Sequence, residues 1–252
     1  RVSWVSFADR LMEFPTALLG VALGTVLLPG LSKARAANDD HRYSKQLDWG
    51  LRLSVLLALP SAFGLWLLAE PLTALLYHYG RFSAYDVTMT AQAAAAYALG
   101  LLGLIGVKVL APGFYAHQDV RTPVKIALAM LVLTQALNLL TVPWFAHAGL
   151  AYSISMAALC NALMLLLGLL RRKLFTPEPG WARFLFQVLS ANLLMAAWLH
   201  WTGTQTWLDW QAMSGTPLLR AVHVLWVVVA AAVIYFISLR LLGFRLMQLI
   251  KR

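Results

Sequence analysis

Asp9, Arg10 and Glu13 interrupt an otherwise apolar stretch, residues 1–33, whose only other charges are Arg1 and Lys33 at its ends. A guanidinium offers a rigid, planar fork of donors that suits bidentate capture of a phosphate. Ionisable groups inside membrane-spanning segments favour such a role by default, because leaving them in hydrocarbon without a function is costly. The spacing also allows a plainer outcome. Arg10 and Glu13 are three residues apart, so on a helix they can pair with each other while the arginine snorkels to water. Further along, Gly20 and Gly24 share one helix face and can admit another backbone closely, a packing signal rather than a chemical one.

The segment that carries these residues belongs to a chain of 252 residues, 61% hydrophobic and only 12% charged, far from the roughly 25% charged of a soluble domain. This is an integral membrane protein. About 20 apolar residues span the hydrocarbon core, and seven such segments are predicted: Val5 to Leu31, Leu51 to Tyr77, Val87 to Leu110, Val124 to Pro143, Ala148 to Leu170, Ala182 to Trp201 and Leu218 to Leu242. Runs such as Leu53 to Leu68 and Ala221 to Leu239 are apolar at both odd and even positions, so alternating barrel strands are excluded and the fold class is all-α, a polytopic membrane helix bundle. The single cysteine, Cys160, has no partner for a disulfide or thiolate site, and reads as a small buried residue.

Most of the 20 basic residues fall at alternate connections: Lys33, Arg35, Arg42, Lys45 and Arg52; Lys108, Arg121 and Lys125; Arg171, Arg172, Lys173 and Arg183; Arg240, Arg245, Lys251 and Arg252. The other side holds Arg1, Arg10, Arg81 and Arg220. Positive loops stay cytoplasmic, so the N-terminus is predicted outside and the C-terminus inside. The net charge of +10 is thereby a topology signal rather than a nucleic-acid footprint, and no nucleic acid is expected as a partner. No cleavable signal peptide is expected at the start, and the charged first span suggests the later part of a longer transporter.

Longer motifs sharpen this. Ala8-Asp9-Arg10-Leu11-Met12-Glu13-Phe14-Pro15, followed by Gly20 to Gly24 and on through Pro29 to Lys33, resembles the MurJ (MviN) lipid II flippases, as do Asp48-Trp49-Gly50-Leu51-Arg52, Lys108 to Tyr115, Thr122-Pro123-Val124-Lys125 and Phe175 to Trp181, in the same order. The resemblance covers essentially the whole chain. It implies the multidrug/oligosaccharidyl-lipid/polysaccharide exporter superfamily, with this chain as helices eight to fourteen, the second lobe of a fourteen-helix transporter of the bacterial inner membrane. It also implies that lipid II, the undecaprenyl-diphosphate-linked peptidoglycan precursor, is moved from inner to outer leaflet by alternating access. Arg10 matches the family's cavity arginine, Asp9 and Glu13 its charged neighbours, and Lys108 a cavity-proximal lysine. Residues 1–172 would then form the main part of the lobe, and 173–252 the last two helices, lining a groove for the lipid tail. The expected partners are lipid II, membrane lipids and the absent first lobe; without that lobe the chain alone is not expected to flip lipid. No enzyme activity, metal or other cofactor is implied.

Other readings stay open at this stage. An exporter of another lipid-linked oligosaccharide fits the same features, and a drug/cation antiporter would want membrane-embedded acids. An enzyme would want more than the pair Asp39-Asp40 with Asp48 nearby. Pro60 and Pro112-Gly113 are candidate hinges or tolerated kinks; His78, His117 and His147 lack metal-like spacing. Trp198, Trp201, Trp207 and Trp210 read as an interfacial belt. Ion coupling is undetermined: the fourth span offers Thr134, Gln135 and Asn138 and no carboxylate.

Overall fold

The computed structural model describes residues 2–203 and 217–244. They form eight helices: α1 Val2–Ala36, α2 Asp40–Leu67, α3 Ala69–Tyr77, α4 Ala84–Tyr115, α5 Arg121–Phe145, α6 His147–Arg171, α7 Trp181–Gly203 and α8 Pro217–Leu241. All but α3 are long and apolar enough to cross a membrane, which gives seven spans among the described residues. Trp207 and Trp210 of the expected belt, and the basic Arg245, Lys251 and Arg252, lie outside the described residues.

One predicted span divides. The apolar length of Leu51 to Tyr77 predicts a single helix, but α2 ends at Leu67 and α3 starts at Ala69. The cause is Pro71, which has no N–H to donate to the Leu67 carbonyl four residues back. With the break at Leu68, whose backbone leaves the helix (φ −101°, ψ 13°), Pro71 falls in the first turn of α3, where a donor is not required. Pro60 is handled differently. It stays inside α2, and the carbonyl it leaves without a helical donor, that of Leu56, accepts a 2.7 Å bond from the buried Tyr235 hydroxyl of α8. Another helix thus supplies the donor that the proline lacks, as a low-dielectric interior demands.

α4 is the central element, packed against α1, α2, α3 and α6. Its face toward α6 carries Gly100, Gly103 and Gly106, and a Cβ at Gly103 would fall 2.5 Å from the Leu159 backbone nitrogen. The two backbones therefore touch, as small residues allow between helices in lipid. The Ser155 hydroxyl fastens the contact by donating to the Ala96 carbonyl at 2.8 Å. α7 and α8 share a second apolar cluster, Phe184, Val188, Met195, Val227, Tyr235 and Leu239, which also takes in Leu56 and Leu68.

Arg220, one of the four cations opposite the basic connections, is buried, 1% exposed at the start of α8. It donates to the Ala74 carbonyl of α3 at 2.9 Å, placing a cation at the negative end of that short helix.

Candidate functional site

α1 buries a stripe of Ala8, Leu11, Met12, Thr16, Gly20, Leu23, Leu27 and Leu31, in steps of three and four residues as a packed helix requires. Arg10 lies off that stripe and is exposed, Glu13 is exposed, and Asp9 is half-buried. Among the described residues, Arg10 enters no ion pair, so the intrahelical pairing that its spacing from Glu13 permits is not formed. Its guanidinium is left available within an apolar helix. Asp9 lies within electrostatic reach of Tyr97 of α4, and Arg10 within that of Tyr77 of α3.

Aromatic contacts fix the helix turns that carry these charges. The Phe7 ring packs 4.7 Å from Tyr77 and 5.4 Å from Phe82 between centroids. Trp4 donates from Nε1 to Asp86 at 2.8 Å, and Asp86 itself closes a capping box with Ser83 at the start of α4. The first turns of α1 are thereby tied to the start of α4.

Lys108 comes to the same helix from α4. Its Nζ donates to the Thr16 carbonyl at 3.1 Å, and its stem crosses α1 at Gly20, where a Cβ would overlap Lys108 Cδ and lie 2.8 Å from Nζ. Gly20 and Glu13 are seven residues apart, nearly two full turns, so they share a flank of α1. The structure brings Lys108 onto the flank of the charged cluster, about 9 Å of helix rise from Arg10 at Thr16. An exposed ammonium keeps further donors beyond the one given to Thr16. This revises the role of the two glycines: Gly20 makes room for a side chain, not a backbone, and among the described residues nothing lies within 4 Å of a Cβ at Gly24.

Two polar clasps at the opposite end of α1 have no counterpart among the sequence expectations. Asp48 of α2 is fully buried and accepts from Arg52 Nε at 2.7 Å, from the Glu178 backbone N–H at 3.1 Å and from Trp181 Nε1 at 2.7 Å. Arg52 in turn donates to the carbonyls of Glu178 and Pro179 and stacks 5.0 Å from the centre of the Trp181 ring. A buried carboxylate needs this degree of satisfaction. In the second clasp, Asp119 accepts from the Thr122 hydroxyl and backbone and from Arg172 at 2.6 Å. The Thr122 bonds first, then Arg172, hold its carboxyl down at about 2. With Tyr43 donating to the Gly113 carbonyl at 2.7 Å, these clasps draw the basic connections α1–α2, α4–α5 and α6–α7 to one end of the bundle. The motif residues are visible in the sequence, but their meeting across some 130 positions has no local signal.

Among the described residues, no cluster of His, Cys, Asp or Glu could hold a metal ion.

A family-wide sequence profile described as Lipid II flippase MurJ matches residues 1–244. The chain is 52% identical over 244 residues to the lipid II flippase MurJ of Burkholderia cenocepacia, covering 97% of this chain and 47% of that protein. It is 35% identical over 255 residues to the probable lipid II flippase MurJ of Haemophilus influenzae, covering 97% and 48%. A solved structure titled Lipid II flippase MurJ, inward closed conformation, superposes with a TM-score of 0.72 at 22% identity, over 94% of this chain and 48% of that one. At that identity the superposition shows the shared fold. The chain spans about half the length of the relatives it matches.

Proposed function

Because the chain belongs to the lipid II flippase MurJ family, a family of multi-pass inner-membrane transporters rather than enzymes, we propose that it forms one lobe of a flippase for the undecaprenyl-diphosphate-linked peptidoglycan precursor. Its other lobe would supply the remaining cations and the second gate. The observation that carries this reading is an exposed Arg10 guanidinium within an apolar span, unpaired among the described residues, with the Lys108 ammonium of α4 brought to the same helix. Moving a sugar diphosphate through hydrocarbon without polar partners costs many kcal/mol, and fixed cations that replace its water shell lower that cost. Arg10 is assigned to the diphosphate. Lys108 extends the positive surface, and Asp9 and Glu13 offset the charge when the site is empty. In this reading the connections clasped by Asp48 and Asp119 face the cytoplasm, the start of α1 faces the periplasm, and α7 with α8 forms the groove for the lipid tail.

Complementation tests it. In a flippase-depleted bacterium, the full-length gene containing this sequence is expected to restore growth, Arg10→Ala to fail, and this chain alone to fail. Rescue by Arg10→Ala at normal protein level would remove the head-group assignment; failure of the unaltered gene would direct the search to another lipid-linked substrate.

A further inference from the structure

We propose that a cavity between the far end of α1 and the start of α2 binds the head group of an anionic glycerophospholipid, at a site separate from the Arg10 face. The cavity has a volume of about 410 Å³ and is lined by Val26, Leu27, Arg42, Lys45, Gln46 and Trp49. Arg42 and Lys45 are three residues apart on α2 and so share a face, and neither enters an ion pair among the described residues. Neither neighbouring acid pairs with the Arg42 or Lys45 side chain: Asp39 accepts from the Arg42 backbone N–H at 2.9 Å, and Asp40 pairs with Arg35 at 3.6 Å. The two cations are therefore left for an anion.

Gln46 narrows the ligand. Its Oε1 is buried without a hydrogen-bond partner, held against Gly30, where a Cβ would come within 2.9 Å of it. An unsatisfied buried acceptor calls for a donor. Phosphatidylglycerol brings a phosphate to the two cations and hydroxyl donors that the Gln46 amide can meet once it turns from Gly30 toward the cavity. Val26, Leu27 and the Trp49 ring give the rest of the wall an apolar character, which suits the glycerol ester region of a lipid better than free phosphate. Basic pockets between helices at the anionic cytoplasmic leaflet hold such head groups. This inference rests on the orientation proposed above, with α2 starting at the cytoplasmic face.

The site is separate from the Arg10 face by position. Val26 lies sixteen residues beyond Arg10, about 24 Å of helix rise along α1.

The test places the full-length protein in phosphatidylcholine nanodiscs, with and without phosphatidylglycerol, and reads retained lipid by mass spectrometry together with the unfolding midpoint. Phosphatidylglycerol is expected to be retained in preference to phosphatidylcholine and to raise the midpoint. Arg42→Ala with Lys45→Ala should weaken that preference about thirtyfold, with the midpoint in pure phosphatidylcholine unchanged; if the double variant does not fold, Lys45→Gln alone should show a smaller loss of the same kind. An undiminished preference in the folded variant, or a midpoint shift reproduced by inorganic phosphate, would overturn the proposal. Labelling of Lys45→Cys in an otherwise cysteine-free background from either side of the membrane reports the orientation independently. Labelling from outside would refute the orientation, and with it the leaflet, while the nanodisc result still decides whether the cavity takes the lipid.

Discussion

At the scale of single residues, Gly20 controls where a charge sits. Because the atoms nearest a Cβ there are the flexible end of Lys108, Gly20→Ala should cost little stability, the alanine even favouring the helix by about 0.5–1 kcal/mol. It should nonetheless displace the ammonium from Thr16 and, under the function proposed above, lower transport by the full-length protein at unchanged protein level. Lys108→Ala should lower transport comparably, and the double variant no further, since both remove one interaction. Additive losses would separate the two residues. Asp119 makes a pH prediction. Its carboxyl is held down at about 2, below its ordinary value of 3.8, so the clasp contributes stability that is complete above about pH 4 and is lost as the pH falls toward 2. The unfolding midpoint of the protein should therefore fall more steeply over that window than that of Asp119→Asn; parallel profiles would show that the clasp does not couple to folding. Neither effect is legible in one dimension: the sequence shows a glycine and a lysine far apart along the chain and cannot show that one passes over the other.

At the scale of helices, the two prolines of the second predicted span show what sequence does and does not disclose. The spans are legible because apolar length is a property of the chain itself. The break at Leu68 is also available in principle, since Pro71 removes a donor at a fixed position. That Pro60 continues the helix is not, because the donor to Leu56 comes from Tyr235 on α8. Tyr235→Phe should leave that buried carbonyl unsatisfied and destabilise by about 1–3 kcal/mol. Pro60→Ala restores a backbone N–H to the same carbonyl, so it should relieve most of the Tyr235→Phe loss. A chemical or thermal unfolding series of the two single variants and the double variant checks this; a Tyr235→Phe loss of the same size whether or not Pro60 has been replaced would dissociate the hydroxyl from the proline. The same contrast explains the glycines. Gly20 and Gly24, spaced as a packing pair, are not one, while Gly100, Gly103 and Gly106 on α4 carry the close backbone contact.

At the scale of the whole molecule, the Asp48 clasp joins α2 to the α6–α7 connection and thus couples the last two helices to the rest. Arg52→Ala would leave a fully buried carboxylate without its charge partner and should destabilise by about 3–5 kcal/mol, whereas removing both charges, Asp48→Asn with Arg52→Leu, should cost less than the arginine substitution alone. Equal losses would mean that the arginine contributes packing rather than charge. Much of the candidate site is readable in the sequence, since an arginine inside an apolar span is conspicuous in one dimension; the clasps and the Lys108 crossing are not, because they depend on tertiary contact. The central claim is that Arg10 holds the diphosphate of a lipid-linked precursor during transfer. It is tested most directly by the amount of newly made precursor that reaches the outer leaflet in cells relying on the full-length protein, with Arg10 or with Arg10→Ala at equal abundance. The account predicts that the alanine variant leaves the precursor in the inner leaflet and that Arg10→Lys, which keeps the charge but loses the fork, transfers an intermediate amount. Outer-leaflet precursor at the unaltered level in Arg10→Ala cells would contradict it.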